Sequence, residues 1–96
     1  AVIGGHPHVT QDIEHYRGRP IVYSVGNFVM KETDNEFQRQ AWVLRMDFDR
    51  QGAQRLQTHA VRIGMDGIPV PDTVSSSPCW QRGQDAAQIC RAPQRP

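Results

Sequence analysis

From Ala41 the chain alternates cleanly between apolar and polar positions. Trp42, Leu44, Met46 and Phe48 fall on one side, and Val43, Arg45, Asp47 and Asp49 on the other. That period of two predicts a half-buried strand whose first set of side chains faces the core. Asp49-Arg50-Gln51-Gly52 then reads as a turn, with glycine where a positive φ is cheap. A return strand over about residues 54–65 puts Val61, Ile63 and Met65 on a shared side. A hairpin over about 42–65 is therefore the predicted centre of the chain.

The flanks carry weaker patterns. Residues 1–4 read as the end of a buried strand. Thr10 reads as the cap of a short helical turn over residues 11–15. Tyr16-Arg17-Gly18-Arg19-Pro20 has Gly and Pro spaced as a strand connection, and the β-branched and aromatic run over 21–25 predicts a second strand. Residues 31–40 are polar and irregular, as in an exposed loop. Beyond Gly67, the prolines at 69 and 71 predict an extended, edge-like segment over 68–72. Residues 73–78 have the composition of a linker, and a short helix is expected over 84–91. The reading is mainly β, with residues 1–72 as one unit and 73–96 as a linker and tail.

Composition narrows the function classes. Ninety-six residues with 38% hydrophobic content supply at most a modest core. Eleven basic residues are spread along the chain and offset by ten acidic ones. The resulting charge of +1 leaves no basic stripe for nucleic acid. No apolar run approaches the roughly 18 residues that span a bilayer. The opening Ala-Val-Ile reads as mid-strand, so a fragment of a longer protein or a truncated reading frame is expected.

Candidate chemistry concentrates in Gly4-Gly5-His6-Pro7-His8-Val9. Residues i and i+2 of an extended backbone point to one side, and Pro7 biases His6 towards that conformation. His6 and His8 would then aim two imidazoles into one space, as a metal requires. The alternative is a pair of hydrogen-bonded structural histidines. Asn27 follows Gly26 at a strand end, where its simplest role is a tight turn. His15 and His59 read as ordinary surface or hydrogen-bonded histidines. Asp12 and Glu14 either orient an imidazole or form a solvated pair, and Arg17 and Arg19 either attract an anion or are merely solvated.

The stretches GGHPHV and QDIEHYRGRPIVYSVGNFV together resemble the C-terminal part of the poly-γ-glutamate capsule-biosynthesis (CapA-like) family, a branch of the calcineurin-like metallophosphoesterases. Val25 stands where that family usually has Leu. The resemblance is specific over residues 1 to about 30 and looser to about 72. It implies an α/β parent, a four-layer αββα sandwich with mixed sheets, to which this chain contributes a mainly β part. It implies that His6 and His8 are the last histidine ligands of a two-metal site holding Mn, Fe or Zn. The other ligands would come from upstream Asp-x-His, Gly-Asp and Gly-Asn-His elements that this sequence does not contain; Phe28 occupies the place a histidine would need after Gly26-Asn27. It puts Asn27 near the site floor, within reach of substrate.

The implied partners are the missing N-terminal part of the same domain, capsule-synthesis membrane proteins and an anionic polymer, at the cell surface, in the periplasm or at the membrane. Two functions remain open: a metal-dependent phosphoesterase-type hydrolase, or a non-catalytic component of polymer assembly or export. A segment without its other half should expose a sheet edge and an apolar face. A surface location also favours a disulfide between Cys79 and Cys90 closing the tail, against the alternative of two free thiols.

Overall fold

Two sheets face each other across one apolar core. The computed structural model describes residues 1–29 and 35–90. Among these, the first sheet has three strands: β1 (Val2–Ile3), β2 (Ile13–Tyr16) and β3 (Arg19–Val22), in the order β1-β3-β2. β1 runs parallel to β3, with Val2 opposite Ile21 and Ile3 opposite Val22, while β2 and β3 form an antiparallel hairpin. Arg17 takes a φ of 53° in the turn of that hairpin. β1 is an edge strand, and Val2 and Ile3 are exposed rather than buried as expected. The helical turn expected after Thr10 is not formed. Residues 13–16 are extended instead, because Ile13 and His15 turn inward while Glu14 and Tyr16 face out.

The second sheet is built on the predicted hairpin. β4 (Gln40–Asp49) and β5 (Gly52–Ile63) pair along their whole length, from Gln40 opposite Arg62 to Asp49 opposite Gly52, with one irregularity between Asp47 and Phe48. The bulge puts its extra residue, Gln54, in β5 and shifts the pairing there by one position. Trp42, Leu44 and Met46 pack on the core, while Phe48, expected beside them, lies past this shift and is exposed. Met65 is exposed as well, because it lies past the end of β5, whereas Val61 and Ile63 are buried. The turn is closed by Asp49, whose Oδ1 accepts from the Gln51 amide at 2.8 Å. Arg82 adds a clamp, placing Nη2 2.6 Å from Asp49 Oδ1 and donating to the Gly52 and Ala53 carbonyls. The Arg82 guanidinium and then the Gln51 amide hold the Asp49 carboxyl down to about 2.

β6 (Pro69–Pro71) pairs with the C-terminal part of β5 as an extended edge segment. The segment after it departs from expectation. β7 (Ser77–Gln81) pairs with β5, and β8 (Gln88–Cys90) pairs with β7. The last two residues of the expected linker 73–78, Ser77 and Pro78, are therefore the start of a strand. The described part of the expected 84–91 helix is an irregular stretch with a bend at 85–86 followed by β8, and residue 91 lies outside the described residues. Cys79 and Cys90 pair as a disulfide across β7 and β8, with Cα atoms 5.8 Å apart.

The core holds the sheets together. Val22 of β3, Leu56 and Ala53 of β5 and Trp80 of β7 form its buried centre, with Ile13, Val25, Trp42, Leu44, Met46 and Ala87 packed around it. Trp80 is only 2% exposed. Its indole donates to the Gln84 carbonyl at 3.1 Å, and the ring of His15 lies against it at 4.9 Å. Of the loop expected over 31–40, residues 31–34 lie outside the described residues. Its remainder is a short 3-10 turn, Glu36–Arg39, capped by Asn35, whose side chain accepts from the Phe37 amide.

Candidate functional site

The histidine loop leaves β1 at a point where only glycine fits. Gly4 donates its amide to the Val22 carbonyl at 2.7 Å, and a Cβ on Gly4 would collide with the Tyr23 carbonyl oxygen. The chain then turns sharply through the two histidines. His6 has a φ of 97° and His8 a φ of 67°. Neither is extended, which corrects the expectation drawn from Pro7. For a non-glycine residue a positive φ costs roughly 1–2 kcal/mol, and such strain persists only where the surroundings enforce it. Even so, the turn brings the two imidazoles together. Their centroids are 6.0 Å apart with the planes tilted by 45°, and both residues are exposed.

Asn27 does the enforcing at His8. It is buried, 8% exposed, and its side chain meets three groups. Its Oδ1 lies 2.8 Å from His8 Nδ1, and its Nδ2 donates to the carbonyls of His8 at 3.3 Å and Gln38 at 3.0 Å. One side chain thus ties the histidine loop to the end of the first sheet and to the 3-10 turn before β4.

The segment that carries Asn27 is itself stitched in place. Thr10 bridges to Val25 and Gly26 to Ala41, the Trp42 amide donates to the Val25 carbonyl at 3.0 Å, and Ser24 Oγ accepts from the Gly26 amide. Gly26 has a φ of 81°, and a Cβ there would press on the Gln40 carbonyl oxygen.

Of the other residues singled out in the sequence, Glu14, Arg17 and Arg19 have structural partners. Glu14 accepts from the Tyr23 hydroxyl at 2.7 Å, which raises the Tyr23 pKa. The Arg17 guanidinium lies over the Tyr16 ring, 5.2 Å from its centroid, and Arg19 donates to the Gln51 carbonyl at 3.3 Å. His15 sits in the interface between the sheets, where burial lowers its pKa. Its Nε2 is enclosed without a hydrogen-bond partner among the described residues.

The donor chemistry fits part of a transition-metal site. Imidazole suits Zn, Fe and related ions. A zinc–nitrogen bond of about 2.1 Å lets two rings on one ion stand several ångströms apart, a range that includes 6.0 Å. Among the described residues no group of three or more His, Cys, Asp or Glu is placed to hold an ion. Among the described residues, the two imidazoles are the donors brought together here. The tie between Asn27 and His8 was not readable in the sequence, because the residues lie 19 positions apart.

Fold and site together define a two-sheet β domain presenting an imidazole pair at a strand end. Residues 1–32 match the family model of the bacterial capsule synthesis protein PGA_cap. The matched stretch contains the whole histidine loop, β1 to β3 and Asn27. No curated protein and no solved structure matches the chain. No helix among the described residues is long and apolar enough to cross a membrane.

Proposed function

We propose that this chain is the C-terminal part of a CapA-like capsule-synthesis protein in which His6 and His8 contribute to a centre of two divalent transition ions, Mn, Fe or Zn. The observation that carries this reading is the pair of imidazoles at strained positive-φ positions, 6.0 Å apart, within the stretch matched by the capsule-synthesis family model. Strain of this kind gathers at functional sites. The remaining ligands would come from residues outside this sequence, in a parent with the αββα architecture. Residues 1–72 would form the C-terminal part of that domain, with β7 and β8, joined by Cys79 and Cys90, extending its second sheet. The exposed Val2 and Ile3 on the edge strand β1 support a covering neighbour there.

When bound, such ions lower the pKa of water and polarise a phosphoryl group. In this reading the residues of this chain hold the ions on one side and shape the floor beneath substrate, a phosphoester or related bond of a capsule polymer or its precursor. The location would be the cell surface, periplasm or membrane periphery, with capsule-synthesis membrane proteins and an anionic polymer as partners.

The competing reading is a non-catalytic component of polymer assembly or export that keeps the fold. Hydrolysis of a generic aryl phosphate by the longer protein separates the two. Activity that disappears together with bound metal in His8→Ala supports the hydrolase. Metal lost in His8→Ala with no activity in the unaltered protein supports the assembly role.

A further inference from the structure

We propose that Asn27 is a positioning residue that fixes the His8 imidazole as its Nδ1–H tautomer, leaving Nε2 as the donor, and that pins the strained backbone of His8. The orientation of the Asn27 amide follows from its three partners. Two of them are carbonyl oxygens, those of His8 and Gln38, which can only accept. The NH2 group must therefore face them, and the amide oxygen must face His8 Nδ1, 2.8 Å away. An amide oxygen cannot donate, so Nδ1 carries the proton. The opposite amide orientation would set an oxygen against two oxygens.

With Nδ1 occupied, the lone pair of the neutral ring sits on Nε2 of an exposed residue. Histidines that bind metals are commonly oriented in this way by a group holding the other ring nitrogen. The same amide accounts for the backbone: its donation to the His8 carbonyl helps hold the φ of 67°, and its burial keeps water from competing. Ring tautomer and loop conformation are thus set by one side chain. The tautomer assignment rests on this geometry alone. Its consequence for affinity rests on the reading of His6 and His8 as metal donors.

The tautomer can be read directly by long-range proton–nitrogen NMR on the metal-free 96-residue chain, recorded on the neutral imidazole. The expected result is a protonated Nδ1 and an unprotonated Nε2 at His8. A protonated Nε2, or an even mixture, overturns the proposal, and no variant is needed to see it. Asn27→Ala should then release the ring into a mixture of tautomers, with amide protection in β4 and β5 retained, and in the longer protein it should weaken binding of zinc ion roughly 10- to 100-fold. Asn27→Asp keeps the acceptor for Nδ1 and loses both carbonyl contacts, so the tautomer should persist while the loop amides exchange faster. If Asn27→Ala leaves both tautomer and zinc affinity unchanged, the proposal fails. If the unaltered chain shows the Nδ1–H tautomer but the longer protein binds no zinc, the metal reading fails and the positioning by Asn27 stands.

Discussion

In the five-stranded sheet, β4 and β5 pair residue by residue from Gln40 to Asp49 with a single bulge. In the three-stranded sheet, β1 pairs through only two residues, and the loop that follows is held by side chains and close backbone approaches. A backbone ladder fixes where a strand runs, but it fixes side chains only to one face or the other. Two imidazoles on a short turn need conformations that no ladder supplies. They are held by Gly4, which lets β1 approach Tyr23, by Gly26, which lets the chain pass Gln40, and by the buried amide of Asn27. The region matched by the capsule-synthesis family model is the one with this costly local geometry. The unmatched hairpin is the regular part and supplies most of the core.

The largest effect should come from the core that joins the two regions. Trp80→Ala removes a fully buried ring packed between the sheets and should cost about 3–5 kcal/mol, measured by urea unfolding. Loss of cooperativity between the sheets is also expected. Unchanged stability would show that the sheets are not coupled through Trp80.

Reduction of the Cys79–Cys90 bond should cost up to roughly 3 kcal/mol in the chain-entropy picture. Its effect should be confined to β7 and β8, so amide exchange in the histidine loop should stay as it was.

Gly26→Ala should act in the opposite place. The new methyl at positive φ, pressing on the Gln40 carbonyl, should cost about 1–3 kcal/mol. Hydrogen exchange should quicken at the amides of Gln11 and Trp42, which donate to the carbonyls of Ser24 and Val25, before it quickens in the middle of β5. Uniform acceleration along the chain would erase the distinction between the regions.

The smallest expected effect is a pH dependence at their interface. Burial lowers the His15 pKa in the folded state, so the unfolded chain takes up this proton first as pH falls. The stabilisation is then fully present above the unfolded value of about 6.5 and is lost as pH drops through it towards the folded pKa. Unfolding midpoints compared across that range should show a shallow decline, and His15→Phe should flatten it. A decline of equal slope in the variant would assign the proton elsewhere.

How much of this was readable in the sequence follows the same division. The hairpin was legible because period-two alternation over residues 42–48 and the Asp49–Gly52 turn are local signals, and the β2–β3 turn was legible through Arg17-Gly18-Arg19-Pro20. Phe48 escaped because a bulge, set by pairing with β5, leaves no mark on one strand alone. β2 was misread as a helical turn because it is short and polar, although Ile13 and His15 do alternate with Glu14 and Tyr16. β7 and β8 were missed for a different reason: their extended form comes from pairing with β5 and with each other, and tertiary pairing overrides local preference. In the site, the motif Gly4-Gly5-His6-Pro7-His8 does bring its two imidazoles together, but on a different backbone from the one expected. Pro7 argued for extension, whereas the positive φ values at His6 and His8 depend on contacts distant in sequence, Asn27 above all.

The central claim is that His6 and His8 are metal donors. It is tested most directly by loading the longer protein with zinc, removing excess ion, and measuring retained metal by mass spectrometry in the unaltered protein and in the double variant His6→Ala, His8→Ala. The expected result is zinc retained by the unaltered protein and lost from the double variant, with the β4–β5 hairpin folded in both. Equal retention of zinc by the two proteins would contradict the assignment.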